Sequence, residues 1–346
     1  MSVVLPIRDP LVKAYKHHAF ILAMMENLPA QNQWILSHYL QIFSPHDIIS
    51  DPNANWHWLD FLIVGEESPF LSKQTLSLSE LQSYDLDSYI KETLDNGSYL
   101  YLFVEAYYLI HHTAYYNEYM PNNILVYGYE EHEEGTSILF LDYSYRGARK
   151  LEKFVIPLTD LKTAIVAFDT RGHTYADYSC IFTPVEAAYN LSLPYVEELI
   201  FEYLHSLPTF AKYTNDPFFD QSICGIKIYD SFLHYFNWME KDDTRLNILP
   251  FCILEEHKTV LYELSMMLLN MHLLESEAVV SDVEKLKKDA TLLKTCMMLY
   301  ETTGRKKLIP KMRAIVQHMQ IAERDCLTLL LESIAPDLQT TSGAGK

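Results

Sequence analysis

Residues 96 to 145 read NGSYLYLFVEAYYLIHHTAYYNEYMPNNILVYGYEEHEEGTSILFLDYSY and hold three extended runs that no helical period explains. The runs are Tyr99 to Val104, Ile124 to Tyr129 and Ser137 to Asp142, each rich in Tyr, Val, Ile, Leu and Phe. A polar, acidic segment containing Gly135 separates the last two, which pairs them as a hairpin and supplies the nucleus of a sheet.

On either side of this nucleus the period changes to that of a helix. Leu81, Tyr84, Leu86, Tyr89, Ile90 and Leu94 recur at helical spacing across Leu78 to Leu94, and Gly97 fits the position after the C-cap, where a positive φ is needed. Glu152 to Ile156 reads as a further strand, and Pro157 opens a helix across Leu158 to Phe168. At the start of the chain, Asp9-Pro10 predicts a helix through Met25. A second helix is predicted from Gln31 to Phe43, with Trp34, Ile35, His38, Tyr39 and Ile42 on one face. The run from Pro45 to Asn55 reads as loop, and WHWLDFLIVG after it admits a short strand.

Beyond Thr183 the character is helical. Thr183-Pro184-Val185-Glu186 has the form of a capping box with proline at the first helical position. Stripes follow at Val196/Leu199/Ile200/Tyr203, Tyr229/Phe232/Leu233/Phe236 and Leu261/Leu264/Leu268/Met271. Two longer stripes run from Val283 to Tyr300, opened by Ser281 to Glu284 and closed by Gly304, and from Met312 to Leu329. Short connections between such stripes predict antiparallel helices. The expected organisation is an α+β domain over residues 1–175, a helical domain over 176–335 and a disordered tail over 336–346.

Composition narrows the partners. The net charge of −19 sets a field that repels phosphate backbones and anionic lipid, so neither nucleic acid nor membrane is an expected partner. The same field suits a cationic or amine-bearing ligand. Five scattered cysteines, Cys180, Cys224, Cys252, Cys296 and Cys326, contain no CxxC pair and fit reduced thiols. With no signal peptide pattern and no transmembrane window, the expected location is cytoplasmic.

No HExxH, GxSxG, dinucleotide or kinase signature is present, and no cofactor or metal is predicted. Glu255-Glu256-His257 reads as the acidic first turn of a helix, and the pairs His17-His18 and His111-His112 each offer at most one ligand to a site. Asp142 ends the strand SILFLD, beside a neighbour that begins at Asn122-Asn123. A carboxylate and an amide at adjacent strand ends can orient a substrate, and they equally suit turns. Ser37 is the hydroxyl candidate. Alternation puts Tyr127 and Tyr129 on one face, opposite Val126 and Gly128, as the wall of a substrate-binding cleft with Asp142 at its edge.

The segments NGSYLYLFVEAYYL, NNILVYGYEEHEEGTSILFLDYS and FVIPLTDLKTAI resemble the sheet region of a bacterial family typified by the N-terminal domain of the butirosin-pathway acyltransferase. That family is similar to C39-like and papain-like proteins, and many members accompany peptide biosynthesis genes. CGIKIYDSFLHYF and RLNILPFCILEEHKTVLYELSMML resemble recurrent segments of uncharacterised relatives. In the C39-like pattern the second strand opens with His and the third ends in Asp. Asp142 matches the acid, Gly128 the strand glycine, and Asn123 stands in the histidine's place; no Cys precedes Cys180. The resemblance implies a papain-like antiparallel sheet. It further implies an accessory or tailoring role in peptide-like natural-product biosynthesis, of acyl- or aminoacyl-transfer type without a Cys nucleophile. The partners implied are a peptide, an amine-bearing small molecule or a carrier-bound intermediate. The alternatives are an inactive relative that binds such a ligand, and an assembly partner with no small-molecule site.

Overall fold

The computed structural model describes residues 2–25, 28–45, 58–62, 68–144, 149–169, 178–212, 222–241, 244, 246–274 and 276–334. In chain order the first elements are β1 (Ser2–Val4), α1 (Lys16–Ala23), α2 (Pro29–His38), β2 (Ile42–Ser44), β3 (Asp60–Phe61), β4 (Leu71–Ser77), α3 (Leu78–Ser83) and α4 (Leu86–Asp95). The strands β5 (Tyr99–Glu105), β6 (Pro121–His132), β7 (Gly135–Ser144) and β8 (Lys150–Pro157) follow, then α5 (Leu158–Val166) and β9 (Tyr178–Pro184). The chain continues through α6 (Leu193–His205), β10 (Ile223–Cys224), α7 (Ile228–Glu240), α8 (Leu249–Asn270), α9 (Glu277–Thr303) and α10 (Leu308–Ile334). The fold is α+β, and two compact units each draw on two stretches of chain: Met1–Gln31 with Gly65–Ala188, and Asn32–Val64 with Tyr189–Lys346.

The first unit is built on a seven-stranded antiparallel sheet of order β4-β9-β5-β6-β7-β8, with β1 paired to the far half of β6. The three extended runs of the sequence lie side by side as β5, β6 and β7. One sheet face presents Leu100, Leu102, Val104, Ile124, Val126, Ile138 and Phe140 to Leu81, Ile90 and Leu94 of α3 and α4 and to Leu161 and Ile165 of α5, all buried. At about 1.5–3 kcal/mol per buried large apolar side chain, this layer dominates the unit's stability. Gly97 takes φ +75 after α4, as its sequence context predicts.

Four local expectations are corrected. The helix predicted over Leu78 to Leu94 is two helices, because Ser77 caps α3 by accepting the Glu80 N–H and the chain turns extended at Tyr84 and Asp85 before α4. Thr183-Pro184 opens no helix. Both end β9, which pairs along its whole length with β4 and so places 178–184 in the sheet. The first helix runs only over Lys16–Ala23, and the second stops at His38, since Ile42 and Phe43 enter a ladder with β3.

The second unit joins α6 to α10 with the segment 32–64. The boundary expected at 175/176 assigns that segment to the sheet, whereas its rings pack among the helices: Trp58 meets Phe232 at 4.9 Å and Phe251 at 6.5 Å between ring centroids. The strands β10, β2 and β3 form a small antiparallel sheet here. Helix α8 starts at Leu249 with Pro250 in its first turn, so Glu255–His257 lie mid-helix and not in a first turn. Helix α9 is capped by Ser276, five residues before the expected Ser281, and ends at Gly304 with φ +62. Short connections make α8, α9 and α10 successive antiparallel neighbours. Among the described residues no helix is long and apolar enough to cross a membrane. The tail 336–346 lies outside the described residues, as does most of the Pro45 to Asn55 loop.

Candidate functional site

Asp142 was expected at the rim of a cleft, and it is fully buried on the face that carries Ile138 and Phe140. Its carboxylate meets four donors. Oδ1 accepts from Lys16 Nζ at 2.5 Å and from the Tyr143 backbone N–H at 2.6 Å, while Oδ2 accepts from His111 Nε2 and Asn122 Nδ2, both at 2.8 Å. A carboxylate offers about four lone-pair positions, so Asp142 has none left for a cation. Lys16 is equally engaged, donating also to Asn122 Oδ1 at 2.6 Å and to the Asn123 carbonyl at 2.8 Å. Burial would raise the Asp142 pKa, but the Lys16 charge and the His111 hydrogen bond hold it below the usual carboxylate range.

His111 is the member of this cluster with chemistry to spare. Its Nε2 is committed to an ionised carboxylate, so in the neutral ring the proton sits on Nε2 and Nδ1 keeps the lone pair. The ring is fixed from the side by Phe154, stacked at 4.0 Å, and by Phe140 at 5.3 Å. A histidine oriented by a buried acid and packed against two aromatic rings is preorganised as a proton acceptor. The adjacent His112 accepts the Ala114 N–H at Nδ1, and burial with the nearby Lys16 charge lowers its pKa to about 4.

The loop that delivers His111 is long for its task. Strands β5 and β6 are antiparallel neighbours that two to five residues can join, yet residues 106–120 lie between them. The loop is anchored by buried Ala106, Leu109 and Ala114, and by the Glu105 carboxylate accepting the Met120 N–H. Its outer surface is aromatic. Tyr107 and Tyr119 stack at 4.5 Å, Tyr116 meets Tyr107 edge-on at 5.2 Å, and Tyr116 is 63 % exposed. Tyr116 also adopts φ +50, a region that bulky residues rarely occupy.

The other sequence candidates separate from this cluster. Asn123 lies on the opposite sheet face, where its Nδ2 donates to the Tyr101 hydroxyl; Asn122 supplies the amide beside Asp142. The cleft wall of Tyr127 and Tyr129 does not form. A bulge between Val126 and Gly128 makes Tyr127 an extra residue, so Tyr129 joins Val126 in the core and bonds Asp95 at 2.8 Å. Tyr127 instead packs beneath Lys153. Ser37 belongs to the second unit. Its hydroxyl meets the Gln33 and Trp34 carbonyls at 2.8 and 3.0 Å and the Tyr189 hydroxyl at 2.8 Å. His38 Nδ1, near Ser37, must itself carry a proton to meet the Trp34 carbonyl at 2.8 Å, so it is no base for that serine.

Sequence reasoning reached Asp142, noted His111 only within a pair that offers at most one ligand to a site, and missed Lys16. A further signal for His111 is its place in a loop far longer than a hairpin needs. No protein-family model matches this chain, and no curated protein matches it.

Proposed function

We propose that the protein transfers an acyl or aminoacyl group to an amine in peptide-like natural-product assembly, with His111 as general base and no thiol nucleophile of its own. The observation that carries the reaction type is the 2.8 Å bond from His111 Nε2 to Asp142 Oδ2, which leaves Nδ1 as a proton acceptor. The substrate class rests on the resemblance of the sheet segments. In the step proposed, the amine nitrogen attacks the carbonyl of a carrier-bound thioester as Nδ1 takes its proton. The C–S bond then breaks, and the leaving sulfur recovers that proton from the imidazolium. The thiols fit this reading: Cys180, Cys224, Cys296 and Cys326 are buried, and burial pushes Cys224 and Cys326 up to about 12.

The exposed tyrosines of the same loop support a second reading, an inactive relative that binds a peptide or carrier-bound intermediate. The two separate in one experiment. An aminoacyl N-acetylcysteamine thioester and a primary amine are incubated with the protein, and amide product is followed by mass spectrometry. The transfer reading expects turnover that survives replacement of the five cysteines with Ala or Ser and is lost in His111→Gln. Binding of the thioester without turnover establishes the second reading instead.

A further inference from the structure

The second unit contains a buried charged cluster that the proposed reaction does not use. His257 and Lys258 of α8, Glu323 of α10, Tyr229 of α7 and Tyr203 of α6 are all buried, the first four completely. Lys258 Nζ donates to Glu323 Oε1, to His257 Nδ1 at 2.9 Å and to the Tyr203 hydroxyl at 3.3 Å. The second Glu323 oxygen accepts from the Tyr229 hydroxyl at 2.5 Å. His257 Nε2 lies 3.0 Å from the Leu40 carbonyl, just beyond the end of α2.

With Lys258 protonated opposite Glu323, hydrogen-bond chemistry allows the His257 ring only one tautomer. A carbonyl cannot donate, so the His257 proton is on Nε2, and a protonated Lys258 cannot accept, so Nδ1 must be bare. All three ammonium protons then have acceptors, and a single carboxylate balances a single cation. A second proton on His257 would set an imidazolium N–H against the ammonium, leaving two buried positive charges beside one negative one. Among the described residues nothing else facing the ring relieves this. The titratable groups around it are Lys258 on its own helix, Tyr203 from α6, Glu323 and Cys326 from α10, and Tyr229 from α7 with Asp289 of α9 beyond it; β3 places the Phe61 ring 6.2 Å away.

We propose that this cluster is an acid-sensitive latch of the helical unit, in which one proton taken up at His257 Nδ1 detaches α8 from α6 and α10. The cluster joins four helices and the Leu40 carbonyl at one point, so its loss loosens them together. Burial and the Lys258 charge keep the His257 ring well below its usual range, which is the direction the latch requires.

The sign follows from linkage. An unfolded His257 takes up its proton near pH 6.5, the folded one does not, and opening therefore becomes easier as pH falls below about 6.5. Hydrogen–deuterium exchange of the full chain, corrected for the intrinsic rate, reads it directly in peptides from α8 and α10. The expected result is a loss of protection of about fivefold between pH 6.5 and 5.5, steepening towards about tenfold per pH unit below that. In His257→Gln, whose amide can donate to Leu40 and accept from Lys258, that pH dependence should vanish. Parallel pH profiles in the two proteins would overturn the proposal. Should the variant not fold, deuterium exchange at the imidazole C2–H of His257 in the unmodified protein decides: a titration midpoint well below 6.5 supports the latch, and one at or above 6.5 refutes it.

Discussion

Replacing Lys16 with Met tests whether the Asp142 cluster is a closed electrostatic unit. The substitution keeps all but the last atom of the side chain's length and removes the lysine charge from Asp142, together with the donors to Asn122 Oδ1 and the Asn123 carbonyl. Removing one member of a buried ion pair costs about 3–5 kcal/mol, because the other charge stays buried without compensation. Three donors to Asp142 remain, from His111, Asn122 and the Tyr143 N–H, which places the expected loss at the lower end, about 3 kcal/mol. Urea denaturation followed by far-UV circular dichroism, with hydrogen exchange of β6 and β7 peptides as the local reading, measures it at pH 7. The pH dependence carries a second signature. The Asp142 pKa is depressed in the folded protein, so its contribution is present above the unfolded value near 3.9 and is lost as pH falls through the folded value. Without Lys16 that depression shrinks, and the gap between the two proteins should narrow in acid. A loss under 1 kcal/mol, or a gap that does not change with pH, would refute the closed-unit description.

Three further outcomes follow from particular contacts. Gly225 has φ +59, and a Cβ there would press into the Tyr203 carbonyl; Gly225→Ala should cost at least about 2 kcal/mol, read by tryptophan fluorescence, since Trp34, Trp58 and Trp238 all belong to the second unit. Gly128→Ala would set its Cβ 2.6 Å from the Val3 carbonyl and should free β1, increasing hydrogen exchange at Val3 and Leu5 while α8 to α10 are unaffected. Among the cysteines only Cys252 is not buried, so a thiol reagent on the native protein should label it first, as peptide mapping can check, without loss of activity.

The sequence carried the sheet because alternation over Tyr99 to Asp142 is a local signal, and it carried the long helices because their apolar stripes are equally local. What it could not carry was distant pairing. Nothing near residues 32–64 announces that Trp58 packs on Phe232 and Phe251, nearly two hundred residues on. Thr183-Pro184 has the chemistry of a helix cap, and only its partner strand β4 makes it the end of β9. The bulge before Gly128 shifts the alternation by one residue, which moved Tyr129 from a supposed cleft wall into the core. At the candidate site, Asp142 stood out as an acid ending an apolar strand. Its partners did not, since Lys16 reaches it from the first helix and His111 from a loop, and neither distance is written in a spacing.

The central claim is that His111, oriented by Asp142, moves the proton in group transfer. The kcat/KM for transfer from an aminoacyl N-acetylcysteamine thioester to a primary amine tests it most directly, measured for the unmodified protein and His111→Gln, with thermal melts of both. The account predicts a rate in the variant lower by about 10²–10⁴ with the melting temperature little changed. An unchanged rate in His111→Gln would contradict it.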